Sequence, residues 1–355
     1  MITDIRLQNF RSYRDESFEF SDGVNIIVGP NASGKTNLLE AILVIARGAS
    51  YRAKDVELVR FRSHWARLDS HILDGLRTVK IVVDPYPEKT YEIDDKMYRR
   101  LSLQATLPLV LFEPNHLLLL NGSPDRRREY LDDLLEHVRP GYAALRRKYK
   151  RTLAQRNALL KKGYEAAEGQ LFPWNVRLSE LGGNIAKSRN ELVDTIDRAI
   201  APLYKDLSRT KAKVGIAYQP QFPIENYETS LLKKLEASAL LDSQRGFTAA
   251  GPHREDFLTM LGGKPSSETA SRGEVRTCIL ALKIIELDII EKARGAKPIL
   301  LLDDVFSELD GARRRALTEH LQPHQTFITT TDADVVAKHF TEHSNIIPIG
   351  NQSSR

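Results

Sequence analysis

Residues 29–37 read GPNASGKTN and have the form G-x-x-x-x-G-K-T. Apolar Val24, Ile26, Ile27 and Val28 precede them, and Leu38, Leu39, Ile42 and Leu43 follow at helical spacing. A strand, a glycine-rich turn and a helix in that order leave few folds open. Glycines let the backbone wind until its N–H groups converge on phosphate oxygens. The helix that starts there adds its positive N-terminus. In such a loop Lys35 reaches the β- and γ-phosphates as a point charge, and Thr36 offers its hydroxyl to Mg²⁺. The pattern predicts an α/β unit that holds a nucleotide by its polyphosphate.

Residues 298–310, PILLLDDVFSELD, supply a second element. Four consecutive apolar residues, 299–302, predict a strand buried on both faces, as in a parallel sheet. Asp303 then stands at the carboxyl end, where open α/β sheets place their ligands. A carboxylate there can hold Mg²⁺ through water. Asp304, one residue on, points elsewhere on the pleat and could polarise a water for attack on the γ-phosphate. In a third stretch, TASRGEVRTC at 269–278, Ser271 either simply caps a helix beginning near Glu274 or, so close ahead of the Asp303 strand, serves the nucleotide, with Gly273 permitting close approach.

Elsewhere the pattern predicts short strands near 5–7 and 18–20, then alternating strands between 65 and 100 that make a small antiparallel sheet. Residues 124–207 are mostly helical, with apolar stripes at i+3 and i+4 spacing (Leu131, Leu134, Leu135; Leu145, Tyr149, Leu153; Leu178, Leu181, Ile185). Residues 161–173, with Gly163, Gly169 and Pro173, read as the connection between antiparallel helices, which form either a projecting arm or an ordinary helical subdomain. From Gly246 the α/β pattern returns, with a helix over 274–292, strands over 326–330 and 345–349, and a frayed tail at 351–355. The expected division is a head of 1–120 with 246–355, and a helical insertion of 121–245.

Lys and Arg number 52 against 47 Asp and Glu, a net charge of +5. The excess is mild, but it clusters at Arg126-Arg127-Arg128, at Arg146-Arg147-Lys148 with Lys150-Arg151, and at Arg313-Arg314-Arg315. Clusters neutralise phosphates better than a diffuse excess does, although each run is also the ordinary composition of a solvated helix face. The single cysteine, Cys278, excludes an internal disulfide and fits a reducing cytoplasm. No apolar run is long enough to span a bilayer, and the first residues carry no export signal, so a cytoplasmic protein is expected. His253 and Arg254, beside two acids, read as a structural hydrogen-bond cluster rather than a catalytic pair. The nine histidines show no metal-site spacing.

Six ordered stretches carry a family resemblance over nearly the whole chain: LQNFRSY (7–13), GPNASGKTNLLEAI (29–42), GSPDRRREYLD (122–132), GPHREDF (251–257), SRGE (271–274) and LLDDVFSELD (301–310). The chain resembles the ABC-type ATPases that act on chromosomes, the class of the SMC heads, and in detail it is similar to the RecF family of bacterial recombination mediators. The resemblance implies an ABC-ATPase head, a P-loop mixed sheet with a small antiparallel sheet, carrying an inserted helical arm. It makes Gly29, Pro30, Asn31, Ala32, Ser33, Gly34, Lys35, Thr36 and Asn37 the ATP loop, Asp303 the Mg²⁺ carboxylate and Asp304 the residue at the place of the catalytic base. Ser271, Arg272, Gly273 and Glu274 match the signature that binds ATP held by a second copy. Leu309 and Asp310 match the D-loop of the dimer interface, and Thr330 or Thr331 the switch position.

The chain departs from the pattern in three places. An aspartate stands where a glutamate is usual, which implies slow hydrolysis. Arg272 replaces the first signature glycine. The stretch 107–117 has no glutamine, which leaves Gln104 as the Q-loop candidate. The activity implied is that of a weak, DNA-stimulated ATPase that dimerises on ATP and Mg²⁺, binds gapped or junction DNA, and supports RecA loading with RecR and RecO, away from any membrane; the charge clusters offer Arg126, Arg127, Arg128 or Arg146, Arg147, Lys148 as candidate DNA contacts. The alternatives are the ATPase subunit of a membrane transporter, or a DNA-binding protein whose ATP site is only structural.

Overall fold

The computed structural model describes residues 1–73, 75–208, 213–321, 324–332, 336 and 344–350. The expected frayed tail lies outside them. The chain forms two compact units, one of residues 1–116 with 286–355 and one of residues 117–285.

In the first unit the helix Lys35–Arg47 organises everything else. Its sequence, KTNLLEAILVIAR, is apolar nearly all round, and ten of its thirteen residues are buried. A helix without a polar face must be covered on all sides. One side packs against a six-stranded antiparallel sheet, ordered Tyr13–Glu19, Asp4–Phe10, Trp65–Ile72, Gly75–Val82, Glu88–Ile93, Lys96–Tyr98. The other packs against a five-stranded sheet, ordered Ser344–Pro348, Val24–Val28, Thr326–Thr330, Ile299–Asp303, Leu109–Phe112. Ile5, Leu7 and Leu68 of the first sheet, Leu38, Ile42 and Ile45 of the helix, and Ile27, Leu301 and Phe327 of the second share one core.

Every pairing in the five-stranded sheet is parallel. Its register sets Asp303 opposite Thr329, and Thr330 opposite Val28. The carboxyl ends of three strands therefore finish together, beside the turn that begins at Gly29. This is the edge at which a parallel α/β sheet presents its ligand site.

In the second unit the helices Pro124–Val138, Tyr142–Leu160 and Tyr164–Ser208 are joined by short turns. The expected connection at 161–173 shrinks to three residues, and Pro173 sits inside a helix of 45 residues. Proline removes one backbone hydrogen bond and costs about 3 kcal/mol in a helix interior. Ala167 and Leu171, buried with Leu160 and Ala239, hold that turn in place regardless. A three-stranded antiparallel sheet, Val214–Gln219, Asp256–Leu261 and Lys264–Pro265, completes the unit, and none of its strands is among those the sequence pattern predicts. Among the described residues no helix is long and apolar enough to cross a membrane.

Candidate nucleotide site

The turn between Val28 and Lys35 is built on unusual backbone. Ala32 and Gly34 have positive φ, 63° and 108°. Gly34 is the residue that can adopt such a conformation at little cost, and it leads directly into the helix. A Cβ on Gly29 would lie 2.4 Å from the Ile349 carbonyl oxygen, so that position has no room for a side chain. Tyr13, from the stretch NFRSY, donates its hydroxyl to the Gly34 carbonyl at 2.9 Å and braces the turn from the antiparallel sheet. Lys35 Nζ donates to the carbonyls of Gly29 (2.7 Å) and Pro30 (2.8 Å) and so spans the loop. Burial lowers the Lys35 pKa, against the opposing pull of the Asp304 and Asp303 carboxylates.

Two distant motifs meet here. Thr36 Oγ1 donates to Asp303 Oδ1 at 3.0 Å. Asp303 is buried, and Thr329 Oγ1 donates to the same oxygen at 2.8 Å, while the Tyr51 hydroxyl reaches Oδ2 at 3.4 Å. Thr329 Oγ1 also accepts the Asp304 N–H at 2.9 Å. That bond helps hold Asp304 at φ 52°, which turns the chain sharply off the end of the strand and leaves the Asp304 side chain exposed.

A third cluster lies beside the loop. Glu40, fully buried on the P-loop helix, is gripped by Arg11 at 2.8 and 2.9 Å, by Arg52 at 3.0 Å and by Ser50 at 2.5 Å. Burial alone would raise its pKa, but these donors hold it below the ordinary carboxylate range. Arg52 also donates to Asn37 Oδ1 at 2.9 Å, and Asn37 donates to Ser12 at 3.0 Å. Sequence reasoning missed Tyr51, Thr329 and the Glu40 network. The one available signal was a glutamate set in an otherwise apolar helix, which demands a buried cationic partner.

The donor set fits a triphosphate with a hard divalent cation. Thr36 and Asp303 bring two oxygens within one hydrogen bond, Lys35 supplies a cation, and the loop has no space for a side chain at Gly29. Ser33 Oγ is buried without a hydrogen-bond partner among the described residues. Such an orphaned hydroxyl is costly unless a ligand completes it.

The remaining expected residues lie as follows. Ser271 opens the helix Arg272–Arg294 with a reciprocal cap: its N–H donates to Glu274 Oε2 at 2.8 Å, and the Glu274 N–H donates to Ser271 Oγ at 3.3 Å. Both cap and ligand roles are open to it, since Ser271 and Arg272 are exposed and Gly273 is half-buried. Leu309 is buried. Asp310 accepts the Arg313 N–H at 3.0 Å at the start of the helix Gly311–Leu321 and pairs with the Arg313 guanidinium. Thr330 exchanges two 3.1 Å hydrogen bonds with the Asp332 backbone, and Thr331 is exposed. Gln104 is exposed in the turn Leu103–Ala105.

The basic clusters separate into two kinds, and here the sequence reading needs correction. Arg127 is buried and bidentate to Asp256 at 2.7 Å, with a further bond to the Gly122 carbonyl at 2.8 Å. Arg128 donates to the Glu255 carbonyl at 2.7 Å and pairs with Asp125. Arg146 pairs with Asp132 at 3.0 Å and Glu136 at 2.9 Å. These three guanidiniums serve the fold, because the cost of desolvating them is offset by their carboxylate and carbonyl partners. Arg126, Arg147 and Lys148 are exposed. His253 accepts from the Tyr149 hydroxyl (2.7 Å at Nδ1) and donates to the Thr248 carbonyl (3.0 Å at Nε2). Burial pushes its pKa down to about 4, so it is a neutral structural histidine.

A glycine-rich loop joined by a hydroxyl–carboxylate bond to an acidic strand end, on a helix layered between a parallel and an antiparallel sheet, defines the class: an ABC-ATPase head. A family model described as the RecF/RecN/SMC N-terminal domain matches residues 1–353. The chain belongs to the RecF family. It is 32% identical over 346 residues to the DNA replication and repair protein RecF of Acetivibrio thermocellus, covering 94% of each chain. To that of Heliobacterium modesticaldum it is 35% identical over 342 residues, covering 93% of this chain and 92% of the relative. A solved structure of the recombination mediator protein RecF-ATPrS in the RecFOR pathway superposes with a TM-score of 0.86 at 32% identity, covering 95% of this chain and 94% of that one. An SmcHead bound to the C-winged helix domain of ScpA, at 17% identity and TM-score 0.55 with coverage of 95% and 91%, shares the fold.

Proposed function

We propose that the chain is an ATP-dependent DNA-binding protein of recombinational repair, in which ATP joins two copies into a form that holds DNA at gaps or junctions and supports RecA loading. The observation that carries this reading is the 3.0 Å bond between Thr36 and Asp303, which unites the phosphate loop and the acidic strand end in one site. The RecF relatives named for DNA replication and repair, and the solved RecF-ATP structure in the RecFOR pathway, supply the biological frame.

Lys35 and the loop amides grip the β- and γ-phosphates. Thr36 and Asp303 hold Mg²⁺, which neutralises phosphate charge when bound. Asp304 orients the attacking water. Its side chain is one methylene shorter than glutamate, so turnover is slow and the ATP state long-lived. Ser271, Arg272, Gly273 and Glu274 of a second copy reach the γ-phosphate, and Leu309 and Asp310 lie at the contact between copies. Exposed cations take the DNA backbone without reading sequence. RecR is the direct protein partner, with RecO and RecA further along, and the protein works in the cytoplasm, on the nucleoid.

The test combines ATP and DNA. Wild-type protein should retain gapped duplex with ATP and Mg²⁺ and release it with ADP; Lys35→Ala should lose that response. Asp304→Asn should bind ATP yet lose about 10²–10⁴-fold in turnover, as for removal of a general base. DNA binding indifferent to nucleotide would refute the reading.

A further inference from the structure

The outward face of the helix Tyr142–Leu160 is built for a polyanion. Its sequence, YAALRRKYKRTLAQRNALL, holds six cations and no carboxylate. Two of the six are used internally: Arg146 by Asp132 and Glu136, and Arg156 by Asp242 at 2.9 Å. Arg147, Lys148, Lys150 and Arg151 are exposed and make no ion pair or side-chain hydrogen bond among the described residues. At 100° per residue these four fall within one half of the helix circumference, opposite buried Tyr149, Thr152 and Arg156. The same face continues through exposed Ala154, Gln155 and Ala158 to exposed Lys161 and Lys162 just past the helix.

We propose that this face, through Arg147, Lys148 and Arg151 with Lys161 and Lys162 beyond them, is a contact surface for the phosphate backbone of DNA. The inference rests on the DNA-binding reading above and assigns its location. Charge complementarity selects the partner. A duplex carries one negative charge per about 1.7 Å of axis, so the roughly 20 Å from Arg147 to Lys161 faces several phosphates. No large hydrophobic residue is exposed between 142 and 160. A membrane-lying helix needs an apolar face, and a protein interface needs an apolar or aromatic centre. Small Ala154 and Ala158 instead let a backbone approach closely. Lys150 shares a cleft with Asp125 and Glu129 of the neighbouring helix and is left out of the assignment.

The experiment compares three full-length proteins with ATP and Mg²⁺ on a gapped duplex over 50 to 200 mM salt. The first is wild type, the second carries Arg147→Gln, Lys148→Gln and Arg151→Gln, and the third carries the charge-matched changes Lys96→Gln, Arg99→Gln and Arg100→Gln on exposed residues of the other unit. Three lost phosphate contacts should flatten the slope of log affinity against log salt by about 2.7. Over that fourfold rise in salt the helix variant should then lose roughly 40-fold less affinity than wild type. The control should keep the wild-type slope. An unchanged slope in the helix variant overturns the assignment, as does an equal change in the control, which would mark a net-charge effect. Wild-type protein that binds no DNA overturns the assignment together with the DNA reading. Unchanged thermal unfolding midpoints establish that the variants are folded.

Discussion

Thr36 and Asp303 are 267 positions apart in the chain, and the hydroxyl of one lies 3.0 Å from the carboxylate of the other. The parallel register of Ile299–Asp303 with Thr326–Thr330, and of that strand with Val24–Val28, is what brings them together. If this pair is the Mg²⁺ site, Asp303→Asn keeps the shape and removes the charge. Mg²⁺-dependent ATP affinity should fall by about 100-fold or more, since even the outer partners of metal ligands are worth 10–100-fold. Titration of a fluorescent ATP analogue with Mg²⁺ and with EDTA reads this directly. Equal affinities for wild type and variant in Mg²⁺ would remove Asp303 from the site.

Thr329 positions both acids, donating to Asp303 at 2.8 Å and accepting from the Asp304 N–H at 2.9 Å. Valine has nearly the same shape without the hydroxyl. Thr329→Val should raise the Mg²⁺ concentration needed for half-maximal ATP turnover by about 10-fold or more, and Thr329→Ser should restore it. A purely packing role would show the reverse order, with serine the more damaging change.

Arg156 is fully buried, bonded to Asn175 (2.7 Å), Asp242 (2.9 Å), Thr248 (2.7 Å) and the Leu235 carbonyl (3.1 Å). Arg156→Ala takes from the buried Asp242 its ion-pair partner, at a cost of about 3–5 kcal/mol. Arg126→Ala, on the surface, should stay within about 0.5 kcal/mol of wild type. Urea unfolding followed by circular dichroism separates the two. Similar midpoints would mean that the buried arginine does not hold its neighbours together.

His253 makes stability depend on pH. Its folded pKa is about 4, below the 6.5 of a free histidine, so between these values the unfolded chain binds the extra proton. The stabilising contribution is complete above pH 6.5 and fades as pH falls toward 4. At 1.36 kcal/mol per pH unit the total is about 3 kcal/mol. The difference in unfolding free energy between wild type and His253→Gln should therefore shrink from pH 7.5 to pH 5. A constant difference would place the histidine in a solvated site.

The elements that were legible in the sequence are those whose signals are local. The strand Val24–Val28, the helix ending at Arg47 before Gly48, and the apolar strand into Asp303 all announce themselves within a few residues. What stayed hidden depends on partners far along the chain. Arg127 looks like part of a basic surface until Asp256, 129 positions on, takes its guanidinium. Pro173 looks like a helix end until burial of Ala167 and Leu171 outweighs its local cost. Thr329 and Tyr51 are unremarkable letters whose roles come from sheet register and from a loop folding back.

Mass by light scattering tests most directly the proposal that ATP bridges two copies. The protein would be measured without nucleotide, with ADP, and with ATP and Mg²⁺. The prediction is 40.2 kDa in the first two and twice that in the third, with Ser271→Ala remaining at 40.2 kDa throughout. A 40.2 kDa particle in ATP and Mg²⁺, with the nucleotide demonstrably bound, would contradict it.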